Sequence, residues 1–290
     1  MIPGGRRGHE AAPAAVFVLG AGRAGKGLAR ALLASGIAVV GLHGRRVEEG
    51  DVSVTAGPLP ASLRRASLVL VAVQDAALEG ALAELLASPH LAPGAVVLHA
   101  SGSAEPRRAA GALRAAGHPF GTFHPLVPLS DASRAPAMLR GAWIGVDGDA
   151  EARTSAAAIA EVLGARTLDI PDGAKPRYHA AAVFASNFPV VLAAIAARLM
   201  SDAGVDAEPA RGAVEQLLAL AAANLAGHDP AAALTGPVVR GDAVTVRRHL
   251  EALAGDDDAR AAYLALSRAA LDMATLDEAA ESELRRALGA

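Results

Sequence analysis

The stretch GAGRAGKG, Gly20 to Gly27, satisfies two nucleotide-binding patterns that lead to different folds. Read through Gly20, Gly22 and Gly25 it is G-x-G-x-x-G, the turn that lays a dinucleotide pyrophosphate against a helix N-terminus. Read through Gly20, Gly25 and Lys26 it is G-x-x-x-x-G-K, the phosphate loop of triphosphatases, which next needs Ser or Thr to place a hydroxyl on Mg²⁺. The next residue is Gly27. An apolar run, AVFVLG (15–20), precedes the loop and a helical pattern begins near Ala24, a context that suits both patterns.

The end of the second apolar run discriminates between them. Dinucleotide sites read the adenosine ribose about 20 residues after the glycines, with an acid for NAD or an Arg for the 2′-phosphate of NADP. The chain has GLHGRR there, with His43, Arg45 and Arg46 and no acid at the strand end. Two guanidiniums match a doubly charged phosphate, whereas an unpaired acid would repel it. The expectation is an NADP site, with Gly20, Gly22, Arg23, Ala24 and Gly25 at the pyrophosphate and His43, Arg45 and Arg46 around the 2′-phosphate. Lys26 then falls on the helix surface. A solvated basic turn is the plain alternative, and the run LVLVAVQD (68–75) keeps the triphosphatase reading open as its metal-binding strand.

Outward from the loop, Val- and Leu-rich runs at 37–44, 66–73, 95–102 and 120–126 alternate with helical stretches near 75–87 and 105–116. Strands that are apolar on both faces belong to a parallel sheet covered by helices on both sides. The fold class is therefore α/β, a doubly wound domain, which 142–148, a helix near 150–163 and 165–170 extend. After PDGAKP (171–176) only long Ala/Leu-rich helical patterns follow, so an all-helical second domain is expected at 172–290. Residues 1–13 read as a flexible arm and 14–171 as the nucleotide-binding domain.

Composition sets the outer bounds. The chain of 290 residues is 52% hydrophobic but only 3% aromatic, so Ala, Val and Leu must supply the core. A formal charge of −3 with scattered charges argues against nucleic acid as a partner. The absence of cysteine excludes disulfides, thiolate-zinc sites and cysteine nucleophiles, and no metal site is expected; a cytoplasmic setting fits. The apolar N-terminal stretch runs straight into the glycine loop and is not read as a secretory signal. Ala180–Ala197 approaches membrane-spanning length but carries Ser186, Asn187 and Pro189, so a buried helix rather than a membrane span is expected.

Ligands of open sheets bind at the carboxyl ends of the strands. Val73, Gln74 and Asp75 end one strand, Ser101, Gly102 and Ser103 the next, and His124 another, held extended by Pro125. Val73, Gln74 and Ser101 are candidates to line the cofactor, Ser101 and Gly102 to let a substrate approach the backbone, and His124 to face the cleft; Asp75 reads equally as a helix cap. On the first helix of the second half, YHAAAVFASNF brings His179, Ser186 and Asn187 within about 80° of one another on an ideal helix. Polar groups on an otherwise apolar helix need partners in the core or on a ligand. Pro189 removes one backbone hydrogen bond and is expected to kink the helix. In LTGPVVRGD (234–242), Arg240 beside a helix N-terminus is a candidate for a substrate carboxylate, and Asp242 a candidate cap.

Together these features resemble the NADP-dependent reductases that join a Rossmann domain to an all-helical domain, such as ketopantoate reductase, pyrroline-5-carboxylate reductase, prephenate dehydrogenase and the 3-hydroxyacid dehydrogenases. GTFHPL, YHAAAVFASNF and LTGPVVRGD are more narrowly similar to a bacterial family whose helical half is a domain of unknown function. The resemblance covers nearly the whole chain beyond residue 13. It implies an NADP-dependent reductase of a small keto acid, with 2-dehydropantoate as leading substrate, and a homodimer. In those relatives a Lys on the first helix of the second domain is the general acid, with Asn one or two turns later. Here Asn187 keeps that place, while His179 stands for the Lys and Val183 for an intermediate Asn. The proton donor is therefore open between His179, His124 and Lys175. An imine or deazaflavin-dependent reductase, and a non-catalytic NADP-binding regulator, are the alternatives.

Overall fold

A computed structural model describes residues 15–290; the expected N-terminal arm lies outside the described residues. The chain opens with β1 (Ala15–Leu19), α1 (Arg23–Ala34), β2 (Ala38–His43), β3 (Val54–Thr55), β4 (Leu68–Val71) and α2 (Asp75–Ala87). It continues with β5 (Val96–His99), α3 (Arg107–Ala115), β6 (Phe120–Pro125), α4 (Ala135–Leu139), β7 (Trp143–Gly148), α5 (Ala150–Val162) and β8 (Arg166–Asp169). The strands form one sheet in the order β3-β2-β1-β4-β5-β6-β7-β8. All pairings are parallel except β6 with β7, where the connection leaving Pro125 returns beside it and Ile144 pairs with Pro125. The doubly wound α/β expectation holds; the reversed strand is an addition to it.

Strand periodicity explains why helices cover both faces. Val16 and Val18 of β1 and Leu68 and Leu70 of β4 point into a layer with Leu28 and Leu32 of α1 and Ile159 of α5. Their neighbours Phe17, Leu19, Val69 and Val71 point the other way, against Leu78, Leu82 and Leu85 of α2 and Leu113 of α3. Successive strand residues face opposite sides, so a run without polar alternation must be buried twice. Each fully buried Leu of this kind stabilises the sheet by about 1.5–3 kcal/mol.

After β8 the described residues are helical: α6 (Lys175–Asp202), α7 (Ala207–Leu225), α8 (Pro230–Ala233), α9 (Ala243–Ala252), α10 (Asp257–Met273) and α11 (Glu278–Leu288). Contacts divide the chain after Ser186, within α6, whereas the sequence boundary near 171 marks the turn before that helix. In the second unit Val246, Leu250, Leu271, Leu284 and Leu288 form a small core. Aspartates cap its helices: Asp242 accepts from Thr245 N at 2.9 Å, Asp256 from Ala259 N at 3.1 Å and Asp277 from Ala280 N at 2.8 Å. Asp242 thus caps α9 as its position before the helix indicated.

The expectation of a buried helix at Ala180–Ala197 is not met. Lys175 is the one buried residue of α6, and the helix is apolar and long enough to cross a membrane by length and composition. Phe184, Val190 and Val191 are exposed on it, and Leu217, Leu220 and Leu225 on α7. Periodicity shows that a helix has an apolar face; it does not show what covers that face.

Candidate functional site

The carboxyl ends of β1, β4, β5 and β6 carry the residues that matter. At the first, the three glycines have three different reasons to be glycine. Gly20 has φ +114°, and a Cβ there would run into the Ala72 carbonyl at the end of β4. A Cβ on Gly25 would fall on the Gly20 carbonyl, so α1 seats directly on the turn. Gly22, the residue before α1, has nothing within 4 Å of its Cβ position. The loop is closed at its first and third glycines and open at its second, beside a helix N-terminus with no acid in its first turn. That is the arrangement by which such a turn admits a pyrophosphate. Arg23 is exposed and Ala24 half-buried in the same first turn.

Gly27 also has a reason that the loop alone conceals. A Cβ there would lie 2.9 Å from the Ala135 Cβ, so Gly27 lets α1 pack on α4. Lys26 lies on the helix surface, and there it forms an ion pair with Glu48. Arg45 and Arg46 are exposed beyond β2, and no carboxylate of the described residues pairs with either. His43 departs from the expectation of a phosphate contact. It is 5% exposed, its Nδ1 is 2.9 Å from Thr55 Oγ1 and its Nε2 is 3.1 Å from the Gly57 carbonyl. Both ring nitrogens are spent on tying β2 to β3 and to the turn that follows it.

The second cluster gathers at the ends of β4, β5 and β6 and on the first turn of α6. Val73 is half-buried and Gln74 exposed in the turn from β4 into α2. Asp75 does not cap α2, whose N-cap is Gln74 and has no side-chain bond. Its carboxylate accepts from the Ser103 hydroxyl instead. Partial burial pushes the Asp75 pKa up, but the Ser103 and Ser101 hydroxyls and nearby His179 outweigh it and hold the group below the usual carboxylate value. Ser101 Oγ accepts from Ala104 N at 2.9 Å, so this hydroxyl holds the loop as well. Gly102 packs against His124, where a Cβ would meet the ring at 2.6 to 2.8 Å; its small size serves the imidazole directly.

His124 and His179 come together from β6 and α6, ring centroids 5.8 Å apart. His124 Nδ1 is 2.7 Å from the Tyr178 hydroxyl. Burial, and then the neighbouring His179, push His124 down to about 4, so the ring is neutral at physiological pH. Burial, and then Asp147, push the Tyr178 phenol up to about 12, which keeps its proton. We assign the phenol as donor to Nδ1, which leaves the imidazole proton on Nε2. His179 Nδ1 is buried and has no hydrogen-bond partner among the described residues. His99 Nδ1, deeper in the same cluster, is likewise buried without a partner among the described residues.

Lys175 is held by the fold itself. It is 5% exposed, and its Nζ lies 2.7 Å from Thr122 Oγ1, 3.2 Å from the Ala104 carbonyl and 3.0 Å from Asp147 Oδ2. His99 Nε2 lies a further 3.4 Å away, so the three ammonium protons are surrounded by protein acceptors. Behind it His99, fully buried, is pushed down to about 3 by burial and then by the Lys175 charge. Ser186 and Asn187 lie two turns along α6 and are exposed, and Arg240 is exposed in the second unit. Tyr178, Asp147 and Thr122 were not singled out in the sequence; YH beside the polar helix face was the signal for the first.

An open, mostly parallel sheet with helices on both faces, followed by a helical half, is a Rossmann-like architecture. Residues 142–270 match the family model described as a domain of unknown function, DUF2520. The matched span runs from β7 into α10. A Bacteroides fragilis structure described as an NADP oxidoreductase is 23% identical, with TM-score 0.71 over 89% of this chain and 98% of that one. Pyrroline carboxylate reductase of Plasmodium falciparum, solved with NADP bound, is 13% identical at TM-score 0.59, over 90% of this chain and 98% of its own. An imine reductase from Pseudomonas sp. is 20% identical at TM-score 0.59, over 96% of this chain and 100% of its own. No curated protein matches the chain.

Proposed function

We propose that the protein is an NADPH-dependent reductase of a small keto acid, with 2-dehydropantoate as the first substrate to try. The observation that carries the cofactor reading is the open Gly22 position at the start of α1, closed on either side by Gly20 and Gly25. Gly20, Gly22 and Gly25 would hold the pyrophosphate through backbone amides, and Arg45 and Arg46 the 2′-phosphate. When bound, the dihydronicotinamide supplies a hydride.

The chain's own residues supply the proton. Reduction of a ketone leaves an alkoxide that must be protonated, and in this reading His179 serves it, because its ring Nδ1 has no hydrogen-bond partner among the described residues. His124, held neutral and packed on Gly102, fixes the wall against which His179 sits. Ser101 orients the substrate in this reading. An imine is the second substrate class. The Asp75 carboxylate, held below its usual pKa, suits a cationic substrate better than an anionic one, and the structurally similar Pseudomonas sp. protein is an imine reductase.

We also propose that a second copy of the chain, rather than a membrane, covers the exposed apolar faces of α6 and α7, in a cytoplasmic homodimer. Light scattering on the detergent-free protein should give twice the chain mass, and Val190→Glu should give the monomer. The cofactor test is titration of NADPH and NADH into the wild type and an Arg45→Ala/Arg46→Ala variant. NADPH should bind more tightly than NADH in the wild type and lose that advantage in the variant. Steady NADPH oxidation should then appear with a keto acid or an imine; tight binding with no turnover on either class would make the protein a regulator.

A further inference from the structure

We propose that Lys26 and Arg30 set the coenzyme preference of this site without touching the coenzyme, by holding two acids of the loop after β2 away from Arg45 and Arg46. The inference rests on the NADP reading above. The loop reads GRRVEEGD over residues 44–51, so Glu48, Glu49 and Asp51 follow within six residues of the two arginines. As a bare sequence it has more acids than bases and would repel a dianionic phosphate. An acid in this region is also what an NAD site uses to accept from the ribose hydroxyls.

The structure withdraws two of those acids. Lys26 forms an ion pair with Glu48. Arg30 donates Nε to Asp51 Oδ2 at 2.6 Å and Nη2 to Oδ1 at 2.8 Å, a two-point fork. Lys26 and Arg30 are one turn apart, so α1 presents both cations to the loop from a single face. The backbone supports the placement: Glu48 and Val54 exchange two hydrogen bonds, at 3.2 and 2.8 Å, and Gly44 N donates to Thr55 O at 2.8 Å. Glu49 is exposed and outside both pairs. The guanidiniums of Arg45 and Arg46 are left without an acidic partner among the described residues, free for a phosphate.

Without Lys26, the Glu48 carboxylate is two and three residues from Arg46 and Arg45 and competes with the phosphate for them. The near-Walker lysine of the glycine loop therefore has a task, and it is to neutralise an acid. Binding of NADPH and NADH to the full-length protein, followed by fluorescence, tests this in the wild type, Lys26→Met, Glu48→Gln and the double variant. Lys26→Met should weaken NADPH about tenfold and leave NADH unchanged, and adding Glu48→Gln should restore NADPH affinity. The inference is overturned if Lys26→Met binds NADPH as the wild type does, or if the double variant stays as weak as Lys26→Met, which would mean that Lys26 meets the phosphate itself. A wild type with no preference for NADPH would overturn the NADP reading and this inference together, so the two failures are told apart by the wild type alone.

Discussion

The Tyr178 hydroxyl lies 2.7 Å from His124 Nδ1, and the two rings meet edge to face with centroids 5.6 Å apart. The phenol chooses the tautomer of a histidine that burial keeps uncharged. Nitrogen-15 NMR at pH 7 should show His124 protonated on Nε2 alone. In Tyr178→Phe both tautomers should appear, with a loss of about 1 kcal/mol in stability from the missing hydrogen bond. A wild-type ring protonated on Nδ1 would refute the assignment.

Two buried histidines make stability depend on pH in a defined window. The native values of His124 and His99 are about 4 and about 3, against 6.5 for the free group. Between these limits the unfolded chain binds more protons than the native one, so stability rises with pH. The contribution is complete above about 6.5 and drains as pH falls toward 4. Urea midpoints should drop from pH 7 to pH 4.5, before the carboxylates of Asp51 and Asp75, both held below their ordinary 3.8, begin to protonate. A flat midpoint across that range would show that neither histidine is held neutral.

The glycine loop predicts a contrast between two small substitutions. Gly22→Ala meets open space, so the protein should keep its stability and lose NADPH affinity by about tenfold or more. Gly25→Ala drives a methyl onto the Gly20 carbonyl and should cost about 1–3 kcal/mol along with the affinity. Equal stability losses in both would contradict the geometry.

His179 should separate chemistry from binding. His179→Ala should lower kcat by about 10²- to 10⁴-fold on the substrate found, with NADPH affinity retained. Lys175→Met should act differently, destabilising the fold because Asp147, Thr122 and the Ala104 carbonyl lose their shared donor. A catalytic loss in a stable Lys175→Met protein would return the proton to Lys175.

What was legible in the sequence was local or periodic. The three glycines and the alternating strands need only their neighbours to be read, and the capping role of Asp242 needs three residues. The uses of His43, Gly102 and Lys175 depend on partners far along the chain. His43 is claimed by Thr55, on a strand of two residues too short to announce itself. Gly102 leaves its space to the His124 ring, on a strand that local sequence does not place beside it. Strand composition does not encode direction, so the reversal of β7 was silent. Nor does an apolar helix say whether its cover comes from the same chain.

The packing of Gly27 on Ala135 has a further meaning for descent. A hydroxyl-bearing residue at that position is the one change that would complete a triphosphatase loop, yet its Cβ would lie 2.9 Å from a methyl group of another helix. The two nucleotide-binding designs are neighbours in sequence space and strangers in three dimensions. A side chain at position 27 therefore requires α4 to shift away from α1.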